Sequence, residues 1–156
     1  MKMDIEEQYD KIYRYCYFKT YDVQIAQDIT QEAFLRFCKQ GLNLGREKEL
    51  PYLYTIAKNL CIDHFRHRTV EGLEEITEEA ADDPTEEWIS NLTLRMIISK
   101  LPEDEQELIF LRHVNEISVT AICRITGLSR FAVYRRLSKS LKWLKAELLK
   151  EGFSGE

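Results

Sequence analysis

The 156-residue chain has no apolar run approaching 18 residues, the length a membrane-spanning helix requires. No charged-then-apolar leader is visible over Met1 to Lys11, so neither export nor membrane insertion is expected and the cytoplasm is the expected location. Cysteines spaced CxxC are missing as well. The four present, Cys16, Cys38, Cys61 and Cys123, are widely scattered and fall on or near apolar helical stripes, which argues against a disulfide framework or a zinc site and for buried, reduced thiols. There is no nucleophile motif, no phosphate-cradling glycine loop and no paired-carboxylate pattern, so no enzyme is expected. His64 and His67 stand three apart without a third ligand nearby in sequence, so neither metal nor cofactor is expected and an approach to phosphate suits them better. Strand-period segments and internal repeats are absent too, which leaves an all-α chain.

What is present is charge, unevenly placed. The net charge is −5. Residues 71–88, however, carry nine acids and no base, and the remainder of the chain is left at +4. So acidic a stretch, with few large apolar residues, cannot offset its own chain entropy by burial and reads as a solvated, flexible linker between two folded parts. With 44% hydrophobic residues, each part has the material for a core.

The rear part holds the most specific local pattern. From Ser118 to Lys142, Ile122 and Ile125 give a short helix an apolar edge, Thr126-Gly127-Leu128 supplies a tight turn, and Ser129 is a ready cap for a second helix. In that helix Val133 and Leu137 face inward, leaving Arg130, Phe131, Tyr134, Arg135, Arg136 and Lys139 outside. This is a helix-turn-helix whose outer set can meet base edges and phosphates in a major groove; the alternative is a plain helical hairpin with a solvated basic face. Ser118 to Lys150 holds eight Lys and Arg against Glu147 alone, a net of +7, which is the electrostatic footprint expected on DNA. Upstream, a helix capped at Asp83-Pro84 and running to about Lys100 places Ile89, Leu92, Met96 and Ile97 inward, and another runs from Pro102 to Val114 with Leu108 and Leu111 packing on the helix-turn-helix.

Three helices are expected in the front part. The first runs from about Asp4 to Lys19, capped by Asp4 with Glu7 and striped by Ile5, Tyr9, Ile12 and Cys16. A second, from about Asp22 to Gln40, buries Ile25, Ala26, Ile29, Ala33, Phe34, Phe37 and Cys38 and exposes Asp28, Gln31, Glu32 and Arg36. After glycines at 41 and 45, a third spans about Pro51 to His67, with Pro51 in its first turn. Its outer face interleaves Tyr52, Thr55, Lys58, Asn59, Asp63, Arg66 and His67, the aromatic, amide and basic groups needed to stack on and bond unpaired bases beside a phosphate track. An ordinary solvated helix surface would use many of the same residues.

Three blocks carry a resemblance. Asp28 to Arg36 (DITQEAFLR), Tyr52 to Arg68 (YLYTIAKNLCIDHFRHR), and Leu101-Pro102 through the helix-turn-helix resemble, in order and spacing, the extracytoplasmic-function group of the sigma-70 family of bacterial RNA polymerase sigma factors. The resemblance implies a region 2 domain over residues 1–70, an acidic linker over 71–88, and a region 4 domain over 89–152 with its helix-turn-helix at 118–139. It implies a subunit that binds core RNA polymerase through the β′ clamp helices and the β flap, directs it to promoter DNA, helps open the duplex, and is restrained by an anti-sigma factor. Asp28, Gln31, Glu32 and Arg36 match the clamp-binding face. Tyr52, Lys58, Asn59, Arg66, His67 and Arg68 match the helix that in the family engages the separated strand of the −10 element. Arg130, Phe131, Tyr134, Arg135, Arg136 and Lys139 match the helix that in the family reads the −35 element as duplex.

This chain departs from the pattern at several positions. Tyr52 stands where tryptophan is common, Thr55 where arginine is frequent, Cys123 at a small-residue position, and Phe131 at a position usually small, where it either touches a thymine methyl or packs. A helix-turn-helix regulator acting without polymerase, or an adaptor that has lost base contacts, would share much of this sequence. The linker is either a solubilising tether or a polyanion that lies against the basic faces and suppresses binding by the free protein.

Overall fold

Asp4 starts the first helix: its carboxylate accepts the Glu7 N–H at 3.2 Å, satisfying one of the donors that a helix start leaves open. The computed structural model describes residues 4–40, 46–71 and 92–150, and every regular element among them is helical, as the sequence leads one to expect. The chain divides into two compact units, Met1–Asp82 and Asp83–Glu156. Most of the acidic stretch, residues 72–88, lies outside the described residues, as does the expected cap at Asp83-Pro84 with Ile89.

Among the described residues the front unit has three helices, α1 (Ile5–Thr20), α2 (Val23–Gln40) and α3 (Arg46–Glu71), each packed on the other two. Tyr21 closes α1 in the left-handed region at φ 55°, its N–H bonding to the Tyr17 carbonyl. The Asp22 carboxylate then accepts the Ile25 N–H at 3.0 Å, so two residues suffice to reverse the chain into α2. Ala26 and Ala33 let the neighbouring helices approach α2 closely, while Tyr15 of α1 and Tyr54 of α3, both fully buried, meet edge to face at 5.5 Å. Phe37 is fully buried in the same core.

Three expectations for this unit, and one for a cysteine of the rear unit, are corrected. Ile5 is exposed because it sits in the first turn, before α1 reaches the other helices. Cys38 is exposed, since it follows the buried Phe37 by one residue and so stands about 100° farther round α2. Cys123, in the rear unit, is only half-buried. Helix α3 begins at Arg46, not at Pro51; Pro51 is its sixth residue, past the first turn, so its missing N–H removes one intrahelical bond.

The thiols of Cys16 and Cys61 are buried, and all four thiols are free. The Cys61 thiol beside Cys16, together with burial, holds the Cys16 thiol well above its ordinary range, which starves it of the reactive thiolate. Alkylation of the native protein is therefore expected to label Cys38 first, and to reach Cys16 and Cys61 only after denaturation. Peptide mass spectrometry before and after adding urea measures that order; rapid native labelling of Cys16 would contradict this packing.

The rear unit contains α4 (Leu92–Ser99), α5 (Glu103–Ile109), α6 (Val119–Thr126) and α7 (Arg130–Lys150). In α4, Ile97 and Ile98 are buried and Met96 is 66% exposed, so the expected inward role of Met96 is corrected: the buried stripe lies one and two residues later, on the other side of the helix. Pro102 precedes the first helical residue, and Glu103, Asp104 and Glu105 crowd the first turn of α5, where carboxylates favour the positive end of the helix dipole. The expectation of one helix to Val114 is also corrected. Beyond Ile109 the chain widens into a π-helical turn, Phe110–Val114, closed by the Asn115 N–H on the Phe110 carbonyl at 3.0 Å. The wider turn keeps both Phe110 and Leu111 fully buried. Ser140 of α7 donates to a Glu105 carboxylate oxygen at 2.5 Å, tying α7 to α5.

Candidate nucleic-acid interface

Two caps and a glycine build the helix-turn-helix. Ser118 Oγ accepts the Ala121 N–H at 3.1 Å to start α6, and Ser129 Oγ accepts the Ala132 N–H at 3.1 Å to start α7. Between them Gly127 takes φ +79°, with its N–H on the Cys123 carbonyl at 2.8 Å. A Cβ added there meets nothing within 4 Å, so the left-handed backbone alone demands glycine. Gly127→Ala is expected to cost about 1 to 2 kcal/mol, the left-handed penalty of an L-residue without a clash; urea titration of the variant measures it.

Ile122 and Ile125 of α6 face Val133 and Leu137 of α7, all four buried. The outer side of α7 then follows from its period. Phe131, Tyr134, Arg135 and Lys139 are exposed, Phe131 at 75%. Phe131 therefore does not pack into the core. Arg130 is exposed but tethered, its Nη2 donating to Thr120 Oγ1 of α6 at 2.5 Å. Arg136 is half-buried at the flank of the outer face. Ser138 lies exposed on the same face as Phe131 and Arg135; sequence reasoning passed over it, although its spacing of seven from Phe131 marks it. The Arg135 guanidinium lies over the Phe131 ring, 5.9 Å from its centroid.

On α3, Asn59, Arg66 and His67 are exposed and Lys58 is half-buried. Arg68 is on the helix, but its side chain lies outside the described residues. Tyr52 is less available than a stacking platform should be. It is half-buried, its hydroxyl donates to Gln40 Oε1 of α2 at 3.0 Å, and its ring lies 6.4 Å from that of Phe37. Ile62 and Phe65, by contrast, are exposed between Lys58 and Arg66. They add apolar surface that the polar-residue reading of this face missed, because an isoleucine and a phenylalanine in a helix are assigned to the core by default. His64 is half-buried; three residues before the exposed His67, it stands about 60° round the helix from it, at the edge of the outer face.

On α2, Asp28, Gln31 and Arg36 are exposed and Glu32 is partly so. Gln24 donates to Asp28 Oδ1 at 3.1 Å, and Arg36 Nε pairs with Glu32 Oε2 at 2.8 Å. Among them Leu35 stands 58% exposed. It was not singled out in the sequence, although its spacing from Asp28, Gln31 and Glu32 puts it on their face. Its side chain adds apolar surface to a face that is otherwise charge and amide.

Comparison with known proteins follows the same division. The family pattern described as "Sigma-70 region 2" matches residues 5–70, and "Sigma-70, region 4" matches residues 91–144. The chain is similar to the ECF RNA polymerase sigma factor BldN of Streptomyces coelicolor, at 33% identity over 139 residues, covering 80% of this chain and 51% of that protein. It is similar to the ECF RNA polymerase sigma factor SigW of Bacillus subtilis, at 31% identity, covering 89% of this chain and 83% of that one. Among solved structures, the sigma factor RpoE of Bartonella quintana, crystallised in complex with the anti-sigma factor NepR, shares the fold at a TM-score of 0.63 and 20% identity, covering 91% of each chain.

Proposed function

From a chain that belongs to the extracytoplasmic-function group of the sigma-70 family, we infer a subunit that binds core RNA polymerase, brings it to chosen promoters and assists their opening. The observation that carries this reading is the presence, in one chain and in family order, of three packed helices whose second exposes a charged and amide face, and of a helix-turn-helix with a +7 basic segment. Each surface has a separate task. Asp28, Gln31, Glu32, Arg36 and Leu35 form the docking face for a helical partner on polymerase, which the resemblance identifies as the β′ clamp helices. The outer arc of α3, with Asn59, Arg66, His67, Ile62 and Phe65, serves the separated strand, where exposed apolar surface and hydrogen-bonding groups offset the few kcal/mol that each unstacked base costs. The outer face of α7 meets duplex in the major groove.

The chain acts by binding rather than by covalent chemistry, in the cytoplasm where polymerase works. An anti-sigma factor is a natural further partner, given that the Bartonella quintana relative is crystallised with one. Run-off transcription with purified core polymerase and a promoter library tests the whole reading. Promoter-selective transcripts that require the chain are expected. Tight, selective duplex binding with no effect on polymerase would instead identify a regulator that works alone.

A further inference from the structure

The contact between Arg135 and Phe131 is made by two residues on the surface. Nothing in the core calls for a phenylalanine at the first turn of α7, and 75% of this one is open to solvent. Four residues on, the Arg135 guanidinium sits 5.9 Å from its ring centroid, within the range at which the ring quadrupole attracts a cation. A spacing of i to i+4 stacks the two side chains on one helix face. The N-terminal turns of a recognition helix are the part that reaches base edges.

We propose that Phe131 is a positioning residue for base readout: its ring holds the Arg135 guanidinium in the orientation that reads one base of the promoter duplex. This rests on the reading of α7 as the helix that enters the major groove. An arginine has many rotamers, and a bidentate bond to guanine O6 and N7 uses only a narrow set of them. A ring beneath the guanidinium engages its π face and leaves the edge N–H donors pointing outward, so stacking on Phe131 and bonding to a base are compatible in one pose. Arg130 is controlled in another way. Thr120 Oγ1 holds it from the neighbouring helix, to one side of the Phe131 and Arg135 pair, where phosphate contact suits it better than base contact.

The test uses the full chain assembled with core polymerase and a randomised duplex library upstream of a fixed start region, followed by affinity measurements on the selected duplex and its single-base variants. Arg135→Ala first locates the position it reads: preference there is expected to flatten while the other positions keep theirs. Phe131→Leu, apolar but without a π face, is expected to reduce discrimination at that same position by about two- to five-fold, the worth of an exposed cation–π contact. Phe131→Tyr, which keeps the π face, is expected to restore it. A readout without DNA accompanies these: in the free protein, the Arg135 side-chain NMR signals should carry a ring-current shift that disappears in Phe131→Leu and persists in Phe131→Tyr. Because Phe131 lies outside the core, all three variants should melt with the parent. Full discrimination in Phe131→Leu overturns the positioning role, and so does equal loss in Leu and Tyr variants. If Arg135→Ala alters no position's preference, base readout by this arginine fails, and the proposal with it, whatever run-off transcription says about the sigma-factor reading.

Discussion

A chain carrying Glu32→Lys and Arg36→Glu together is expected to fold like its parent and to disappear from co-purifications with core polymerase. The parent pair is a surface ion pair at 2.8 Å with both side chains about half exposed, a class that contributes about 0.3 to 0.5 kcal/mol in a helix. Exchanging the two charges lets the pair re-form with its polarity reversed, so stability should change by no more than about 0.5 kcal/mol. The surface offered to a partner is changed far more, since each former attraction becomes a juxtaposition of like charges, which costs several kcal/mol across an interface. Binding weaker by tenfold or more, equivalent to about 1.4 kcal/mol, is therefore the expected minimum. Leu35→Ala is the apolar companion, because at 58% exposure its truncation hardly touches the core yet removes the central side chain of the proposed docking face. Undiminished recovery of the folded double variant would sink the assignment of this face to polymerase.

Phe37→Ala should have the opposite profile, with a large loss of stability as its first effect. Phe37 is fully buried, and Tyr52 leans on it from α3 at 6.4 Å. Deleting a buried phenylalanine side chain costs about 3 to 5 kcal/mol, whereas a unit of this size is stabilised by roughly 4 to 12 kcal/mol in total. Much of the margin would go, and with it the packing that places Tyr52 beside Gln40. Seven of the eight tyrosines lie in the front unit, so the near-ultraviolet tyrosine signal reports on it. A melt or urea titration should show that signal lost at markedly lower temperature or denaturant. Phe37→Leu, which keeps most of the volume, should recover most of the difference. A Phe37→Ala chain as stable as the parent would mean that Phe37 is not the core residue its burial indicates.

The sequence by itself determined the helices, most of their caps, and the residue types on their outward faces. These are local matters: Asp4, Ser118 and Ser129 cap because a short oxygen-bearing side chain reaches N–H groups two or three residues on, whatever surrounds it. The helix-turn-helix was legible for the same reason, as Gly127 and the Val133 and Leu137 pair are set by backbone conformation and helical period. Tertiary structure decided which member of each ambiguous set is outside. Cys38, Met96, Leu35, Ile62 and Phe65 are all candidates for burial by chemistry, yet all are exposed, because the buried sector of a helix is fixed by where its neighbours sit, and one residue's step of about 100° crosses its edge. Tyr52 shows the same dependence from the other side: its sequence block suggests an open aromatic platform, and Gln40, twelve residues away, claims its hydroxyl. The pairing of Arg135 with Phe131 and of Arg130 with Thr120 likewise depended on side-chain placement, since helical spacing says which residues share a face but not which of several arginines a ring or a hydroxyl will hold.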